Sequence, residues 1–236
     1  MSDQVLRVLI VDDERLARAE LRRLLANHKE VEIVGEAASA AEAMQLCAQL
    51  QLDLLLLDVQ MPGGSGFDLL AALDQAPEVI FCTAYDQYAL QAFAVNALDY
   101  LQKPVQSVRL AQALARAGAR VAAQPVPPPR KIFIRDGERC WFVALADITL
   151  FESEGNYTRV HFGAEQALML RSLNQLEEKL DPAQFFRANR RQIVSLAQIA
   201  SVAPGDGDGL RLQLAGDTVI EVSRRRAQQF RAENCL

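Results

Sequence analysis

Along the first half of the chain, apolar residues fall into short unbroken runs. "RVLIV" (7–11), "VEIVGE" (31–36), "LDLLLLD" (52–58), "EVIFCT" (78–83) and "ALDYLQ" (97–102) each have strand length and are bounded by polar residues. Between them the apolar positions switch to helical spacing. Glu14 to Asn27 carries Leu16, Leu21, Leu24 and Leu25, and an Ala-rich stretch runs from Ser39, a good N-cap, to about Leu50. Further helices are expected over about Phe67–Asp74, Gln87–Ala94 and Gln106–Ala119. Strands that alternate with helices pair in parallel through helical crossovers, and continuous apolar runs mean burial on both faces. The expectation is a doubly wound α/β domain on a five-stranded parallel sheet.

The pattern breaks at "AAQPVPPPR", Ala122 to Arg130, whose four prolines allow neither period. It reads as an extended spacer. The expected organisation is a domain over 1–120, a Pro-rich linker over 121–130 and a second domain over 131–236. In that second half, "KIFIR-DGER-CWFVA" suggests a hairpin around Asp136-Gly137, and "DITLFES-EGN-YTRVHF" two more strands. "IASVA", "LRLQL" and "TVIEV" follow, with helices over Ser172–Leu180 and about Ser223–Glu233. The "GDGDG" at Gly205 to Gly209 lacks the later bidentate Glu of a Ca²⁺ loop and reads as a turn. This half is mostly β.

In open α/β sheets, ligands sit at the carboxyl ends of strands where strand order reverses. The first run ends in Asp12-Asp13, the third in Asp58 and the fourth in Thr83; the fifth leads into Lys103-Pro104. Each residue alone is a common turn or cap residue. All at matching strand ends would gather three carboxylates, a hydroxyl and an ammonium on one edge. Clustered carboxylates repel one another unless a cation is present, and a hard ion such as Mg²⁺ prefers oxygen ligands. Such a set could stabilise a transferring phosphoryl group, with Asp58 as nucleophile.

The net charge of −5 is uneven: residues 1–120 hold 10 basic and 16 acidic side chains, residues 130–236 hold 15 and 14. Two modules with different partners fit that division. In the second half the arginines cluster. No acid occurs from Ala183 to Gly205, which holds Arg187, Asn189, Arg190 and Arg191, or from Val222 to Ala232, which holds Arg224, Arg225, Arg226 and Arg231. Arg and Asn match the guanine and adenine edges of the major groove, and Arg also grips phosphate. Four scattered cysteines with no C-x-x-C argue against a zinc site or a disulfide framework. No run approaches membrane-spanning length and the N-terminus lacks a signal-peptide pattern, so the cytoplasm is the expected location.

"VLIVDDE", "LLLLDVQMPGGSG" and "VIFCTAYDQYALQAFAVNALDYLQKP" resemble the flavodoxin-like receiver domain of two-component response regulators over about residues 5–120. The resemblance implies that Asp58 is the phosphoacceptor of a partner histidine kinase. It implies that Asp13, Asp58 and the Gln60 carbonyl bind Mg²⁺ with Asp12 assisting through water, and that Thr83 and Lys103 hold phosphoryl oxygens. Pro104 would follow a cis peptide bond and Tyr100 would be the aromatic switch. Ser65 stands where many receivers have Asp. Gln60 and Tyr85, bulky and uncharged, flank the phosphoryl position, and the expectation is that they lengthen the phosphorylated lifetime.

"FESEGNYTRVHF", "LNQLEEKLDPAQFFRANRRQIVSLAQIASV" and "IEVSRRRAQQF" resemble the LytTR DNA-binding domain, over about residues 130–234. That resemblance implies loops entering successive major grooves at direct repeats. Asn156, Tyr157 and Thr158 are the contact candidates in the first loop, Arg187, Asn189 and Arg190 in the second and Arg224 in the third. Arg191 and Arg225 are expected phosphate contacts, and Asn189 replaces a common His. The combined reading is a transcription regulator that dimerises on phosphorylation, not a conventional enzyme, whose receiver promotes its own Mg²⁺-dependent phosphoryl transfer and dephosphorylation. The rival readings are an aspartate-based phosphohydrolase, disfavoured by Gln60 where a second acid is usual, a regulator acting only through protein contacts, and a DNA-binding protein independent of phosphate.

Overall fold

The computed structural model describes residues 5–84, 97–123, 130–137, 139–215 and 218–233. The chain forms two compact units, Met1–Phe142 and Val143–Leu236.

The first unit begins β1 (Leu6–Val11), α1 (Arg15–Leu25), β2 (Val31–Ala37), α2 (Ala40–Gln49) and β3 (Leu54–Leu57). It continues α3 (Gly66–Ala72), β4 (Glu78–Thr83), β5 (Asp99–Gln102) and α4 (Ser107–Ala123). The strands form one parallel sheet in the order β2-β1-β3-β4-β5, so strand order reverses between β1 and β3. The expected doubly wound sheet is therefore present. The helix expected over Gln87–Ala94 lies outside the described residues, as do Tyr85, Cys235 and most of the Pro-rich stretch.

The apolar runs divide by parity. Leu9, Val11, Leu55, Leu57, Val79 and Phe81 pack with α2 and α3 on one face. Val8, Ile10, Leu54, Leu56, Ile80 and Cys82 pack with α1 and α4 on the other. Leu54 to Leu57 are all fully buried, at about 1.5–3 kcal/mol per side chain removed from water. A slip of one residue would exchange the two faces, so the register that carries Asp58 to the sheet edge is tightly set. α1 differs from its pattern at one position: Leu16, in its first turn, is 77% exposed, while Leu21, Leu24 and Leu25 are buried.

Two capping boxes start helices: Ser65 with Asp68 for α3, and Ser172 with Gln175 for α5 (Leu173–Glu177) in the second unit. A hairpin of β6 (Lys131–Asp136) and β7 (Arg139–Ala144) follows the linker, turning at Asp136-Gly137 as expected. The linker was expected to divide the chain, yet most of this hairpin packs with the first unit. Phe133 is 2% exposed and stacks on Phe67 of α3 at 6.3 Å. Lys131 Nζ reaches Glu78 Oε1 at 2.6 Å, Arg120 Nε reaches the same oxygen at 3.2 Å, and Ala76 N donates to Lys131 O at 3.0 Å. Both ends of the linker are thus tied to one buried carboxylate.

The second unit contains β8 (Ile148–Glu154), β9 (Tyr157–Phe162), β10 (Glu165–Met169), α5, β11 (Phe185–Asn189) and β12 (Gln192–Ser195). These strands form an antiparallel sheet in the order β10-β9-β8-β12-β11. A second sheet holds β13 (Ile199–Pro204), β14 (Leu210–Leu214) and β15 (Val219–Val222), and α6 (Arg224–Glu233) closes the chain. β10, β11 and β12 were not anticipated. Their apolar faces are short and interrupted by Gln or Arg, so alternation alone did not distinguish them from loop. "GDGDG" forms the β13–β14 turn, with Gly205 N bonded to Gly209 O at 3.2 Å.

Candidate functional site

The parallel sheet delivers Asp12, Asp13, Asp58, Thr83 and Lys103 to one edge, at the point where strand order reverses. β1 ends at Val11, and Asp58 N donates to Val11 O at 2.8 Å, which levels the two acids with each other. Lys103 N donates to Thr83 O at 2.9 Å, and the Lys103-Pro104 bond is cis. The Lys103 ammonium lies 2.6 Å from Asp58 Oδ2, 2.8 Å from Asp12 Oδ2 and 3.8 Å from Glu14 Oε2. Asp12, Asp13 and Asp58 each place a carboxylate oxygen within 4.8 Å of the others.

Asp12 is completely buried and Asp58 nearly so. Burial holds the Asp12 carboxyl above the usual carboxylate range, against the opposing pull of its Lys103 contact. Burial also opposes the charge on Lys103, but its bonds to Asp12 and Asp58 outweigh that and raise its pKa. One ammonium facing three carboxylates leaves the edge short of positive charge, and the donors are all hard oxygens. Such a set fits a divalent cation such as Mg²⁺. The Thr83 hydroxyl is buried with no hydrogen-bond partner among the described residues, and an unmet buried donor costs about 1–3 kcal/mol. An incoming anionic oxygen would satisfy it.

The loop after β3 is shaped by glycine. Gln60-Met61 pairs with Gly64-Ser65 in a two-residue ladder, and Gly63 turns it at φ +82°. At Gly66 a Cβ would stand 2.4 Å from Asp58 O, so only glycine allows α3 to start against the Asp58 backbone. Gln60 N donates to Asp58 Oδ1 at 3.2 Å, and the Gln60 side chain is exposed. Tyr100 sits on β5 opposite Phe81 and packs, partly buried, against the α2/α3-side core. Ser65 caps α3. Two residues that the pattern did not single out also reach this edge. Glu14 donates its N–H to Asp12 Oδ1 at 2.9 Å, and the Arg18 guanidinium meets the Asp12 and Asp13 carbonyls. Both lie at the start of an amphipathic helix, where a charged residue is ordinary and carries no signal of its own.

In the second unit, register brings the predicted loops together. β8 runs antiparallel to both β9 and β12, with Glu152 opposite Arg159 and Gln192. The β8–β9 turn and the β11–β12 turn therefore lie at the same end of the sheet. Ser223 N donates to Ala188 O at 3.2 Å, adding the start of α6. Arg190, Arg191, Arg224, Arg225, Asn156 and Tyr157 are exposed there. An open cleft of about 420 Å³ is lined by Glu152, Asn189, Arg190, Arg191, Gln192, Glu221, Val222 and Ser223.

Three expected contacts are instead bonded within the fold. Thr158 is fully buried and its hydroxyl donates to Arg171 O at 2.6 Å, so it has no face for DNA. The Arg187 side chain is 9% exposed and donates to Asn189 O at 2.7 Å and Arg190 O at 2.8 Å, with Glu177 at 3.5 Å. Asn189 donates to Gln192 Oε1 at 2.9 Å and Glu221 O at 2.8 Å, and accepts from Arg191 N at 2.8 Å. These groups build the turn whose tip exposes Arg190 and Arg191. Residue type drew attention to them; only the fold separates builders from exposed groups.

Two family models match the chain in succession. Residues 8–115 match the response regulator receiver domain, and residues 138–233 match the LytTr DNA-binding domain. The chain is 36% identical to the sensory transduction protein LytT of Enterococcus faecalis over 95% of its own length and 97% of that protein. It is 34% identical to the transcriptional regulatory protein BtsR of Escherichia coli, over 94% and 95%. Among solved structures, the response regulatory domain of mrkE from Klebsiella pneumoniae is 31% identical, with a TM-score of 0.47 over 50% of this chain and 100% of that one. A LytTr DNA-binding domain from Bacillus cereus is 20% identical, with a TM-score of 0.43 over 45% and 97%.

Proposed function

The chain belongs to the response regulators that join a receiver domain to a LytTr DNA-binding domain, and from that premise we propose the following phosphoryl chemistry and DNA contacts. Asp58 attacks the phosphorus of a phosphohistidine on a partner kinase, or of a small phosphodonor, and the donor leaves as the Asp58–phosphorus bond forms. Asp13, Asp58 and the Gln60 carbonyl would hold Mg²⁺, with Asp12 assisting through water; the ion supplies charge neutralisation for the phosphoryl oxygens. Lys103 moves from the Asp58 carboxylate to the new phosphoryl group, and the Thr83 hydroxyl donates to another of its oxygens. Tyr100 follows Thr83 inward. Gln60 restricts the approach of water, and the same site carries out the slow self-dephosphorylation.

The phosphorylated form dimerises and sets two DNA-binding domains on direct repeats in the cytoplasm. Arg190, Arg191, Arg224, Arg225, Asn156 and Tyr157 meet the DNA, while Thr158, Arg187 and Asn189 hold the loops. Phosphorylation acts as a population shift, limited by the difference in stability between the two forms. Among the described residues no helix is long and apolar enough to cross a membrane.

The observation that carries this reading is the Lys103 ammonium bridging buried Asp12 and Asp58 beside an unsatisfied Thr83 hydroxyl. The test compares wild type with Asp58→Ala after incubation with a small acyl phosphate and Mg²⁺. Wild type is expected to gain an acid-stable, base-labile phosphoryl group and bind promoter DNA more tightly. Equal labelling of both proteins would remove Asp58 from its role, and steady hydrolysis of small phosphoesters would favour a phosphohydrolase.

A further inference from the structure

Arg18 lies in the first turn of α1, and its side chain folds back past the start of the helix. Its Nη1 donates to Asp12 O at 2.6 Å and to Asp13 O at 3.2 Å. Its Nε lies 3.7 Å from Glu36 Oε2 on β2, and Glu36 is itself gripped by Arg22 through bonds of 2.6 and 2.7 Å. The guanidinium therefore spans from the β1–α1 turn to the neighbouring strand, and its side chain is only 16% exposed.

The rest of Asp12 is tied as well. Its N–H donates to Ala37 O at 3.1 Å, Oδ1 accepts from Glu14 N at 2.9 Å, and Oδ2 meets Lys103 at 2.8 Å. For Asp13 the only hydrogen bond shown among the described residues is the one its carbonyl accepts from Arg18. The direction of Asp13 thus depends on the carbonyl that Arg18 holds.

We propose that Arg18 is a positioning residue for the cation site: by holding both carbonyls of the acid pair it fixes the turn that aims Asp13 toward Asp58. The proposal rests on the reading that Asp13 and Asp58 share a divalent cation. The charge on Arg18 has the wrong sign to attract such an ion, so charge and geometry make opposite predictions. If Arg18 acted as a charge alone, neutralising it would tighten cation binding; a positioning role makes the same change loosen it. Lysine separates the two further, because it keeps the charge but replaces a planar fork with a single flexible ammonium.

The test uses the full chain and Mn²⁺ alone as the probe, read from the paramagnetic resonance of the free ion near neutral pH. Wild type, Asp58→Ala, Arg18→Lys, Arg18→Gln and Arg23→Gln are compared, with thermal melts to show that each is folded. Arg23 is an exposed cation on the same helix and serves as the charge control. Wild type is expected to bind Mn²⁺ in an Asp58-dependent way and Arg23→Gln to match it. Both Arg18 variants are expected to bind about tenfold more weakly, the scale of losing a partner that orients a metal ligand. Unchanged binding in folded Arg18→Lys, or tighter binding in Arg18→Gln, would overturn the positioning role while leaving the cation site intact. Wild-type binding that does not depend on Asp58 would overturn the site reading, and the proposal with it.

Discussion

Asp12 illustrates at the scale of one residue how function and stability pull apart. Burial raises its pKa, so keeping it ionised at neutral pH works against folding, and that cost is relieved as the pH falls through the raised value. Asp12→Asn is therefore expected to stabilise the cation-free protein near neutrality. The gain should shrink toward acid pH, as denaturant melts across pH would show, and Lys103 keeps Asp58 as its partner in the variant. The same substitution should weaken Mg²⁺ binding. Arginines of the second unit divide by a different measurement. Arg191→Ala should lower DNA affinity and reduce the salt slope by about 0.9, the signature of one lost phosphate contact. Thr158→Val should leave that slope unchanged while lowering stability by about 1–2 kcal/mol, because Arg171 O loses its buried donor. A reduced slope in Thr158→Val would return that residue to the interface.

Among the elements, the β6–β7 hairpin is the one whose allegiance differs from its place in the chain. It follows the linker, yet Phe133 and Cys140 are buried in the core beside α3. Phe133 also meets Phe142 edge-on at 5.0 Å. Phe133→Ala is expected to lower the stability of the first unit by about 3 kcal/mol, the low end of the cost of deleting a buried aromatic ring. Differential scanning calorimetry of the full chain would detect it as a downward shift of one transition; no shift would mean that the hairpin contributes nothing to that core. The exposed Arg135–Asp68 pair at 2.7 Å adds little by comparison. α3 itself starts in a tight place. Gly66→Ala should push Asp58 out of line and reduce its phosphorylation even where the protein stays folded, which the acyl-phosphate assay would read directly.

For the molecule as a whole, charge sets what DNA binding must rely on. The second half is close to neutral, with 15 basic against 14 acidic side chains over residues 130–236, and the first half is acidic. Affinity that does not depend on sequence scales with neutralised phosphates, so it should be weak and disappear between about 50 and 200 mM salt. Sequence-specific binding should persist there and increase on phosphorylation. Titrations of specific and scrambled duplexes over that range would check it, and tight binding to scrambled duplex at the higher salt would contradict it.

The sequence by itself determined the parallel sheet, because unbroken apolar runs such as Leu54 to Leu57 can be buried only from both sides. It also determined the acidic edge, because four of the five runs led into a residue with chemistry. Local spacing is enough for such features: the chain records them in consecutive positions. Other features depended on residues far apart in the chain. Arg18 looked like any charge on an amphipathic helix until the fold brought it to the Asp12 and Asp13 carbonyls. Residue type did not show that Arg187 and Asn189 would also be bonded within the fold, to partners on β11, β12 and β15. The hairpin looked like the start of the second domain until Phe133 entered the core beside Phe67. A side chain's type shows which bonds it can make, but the tertiary structure decides which partner reaches it first.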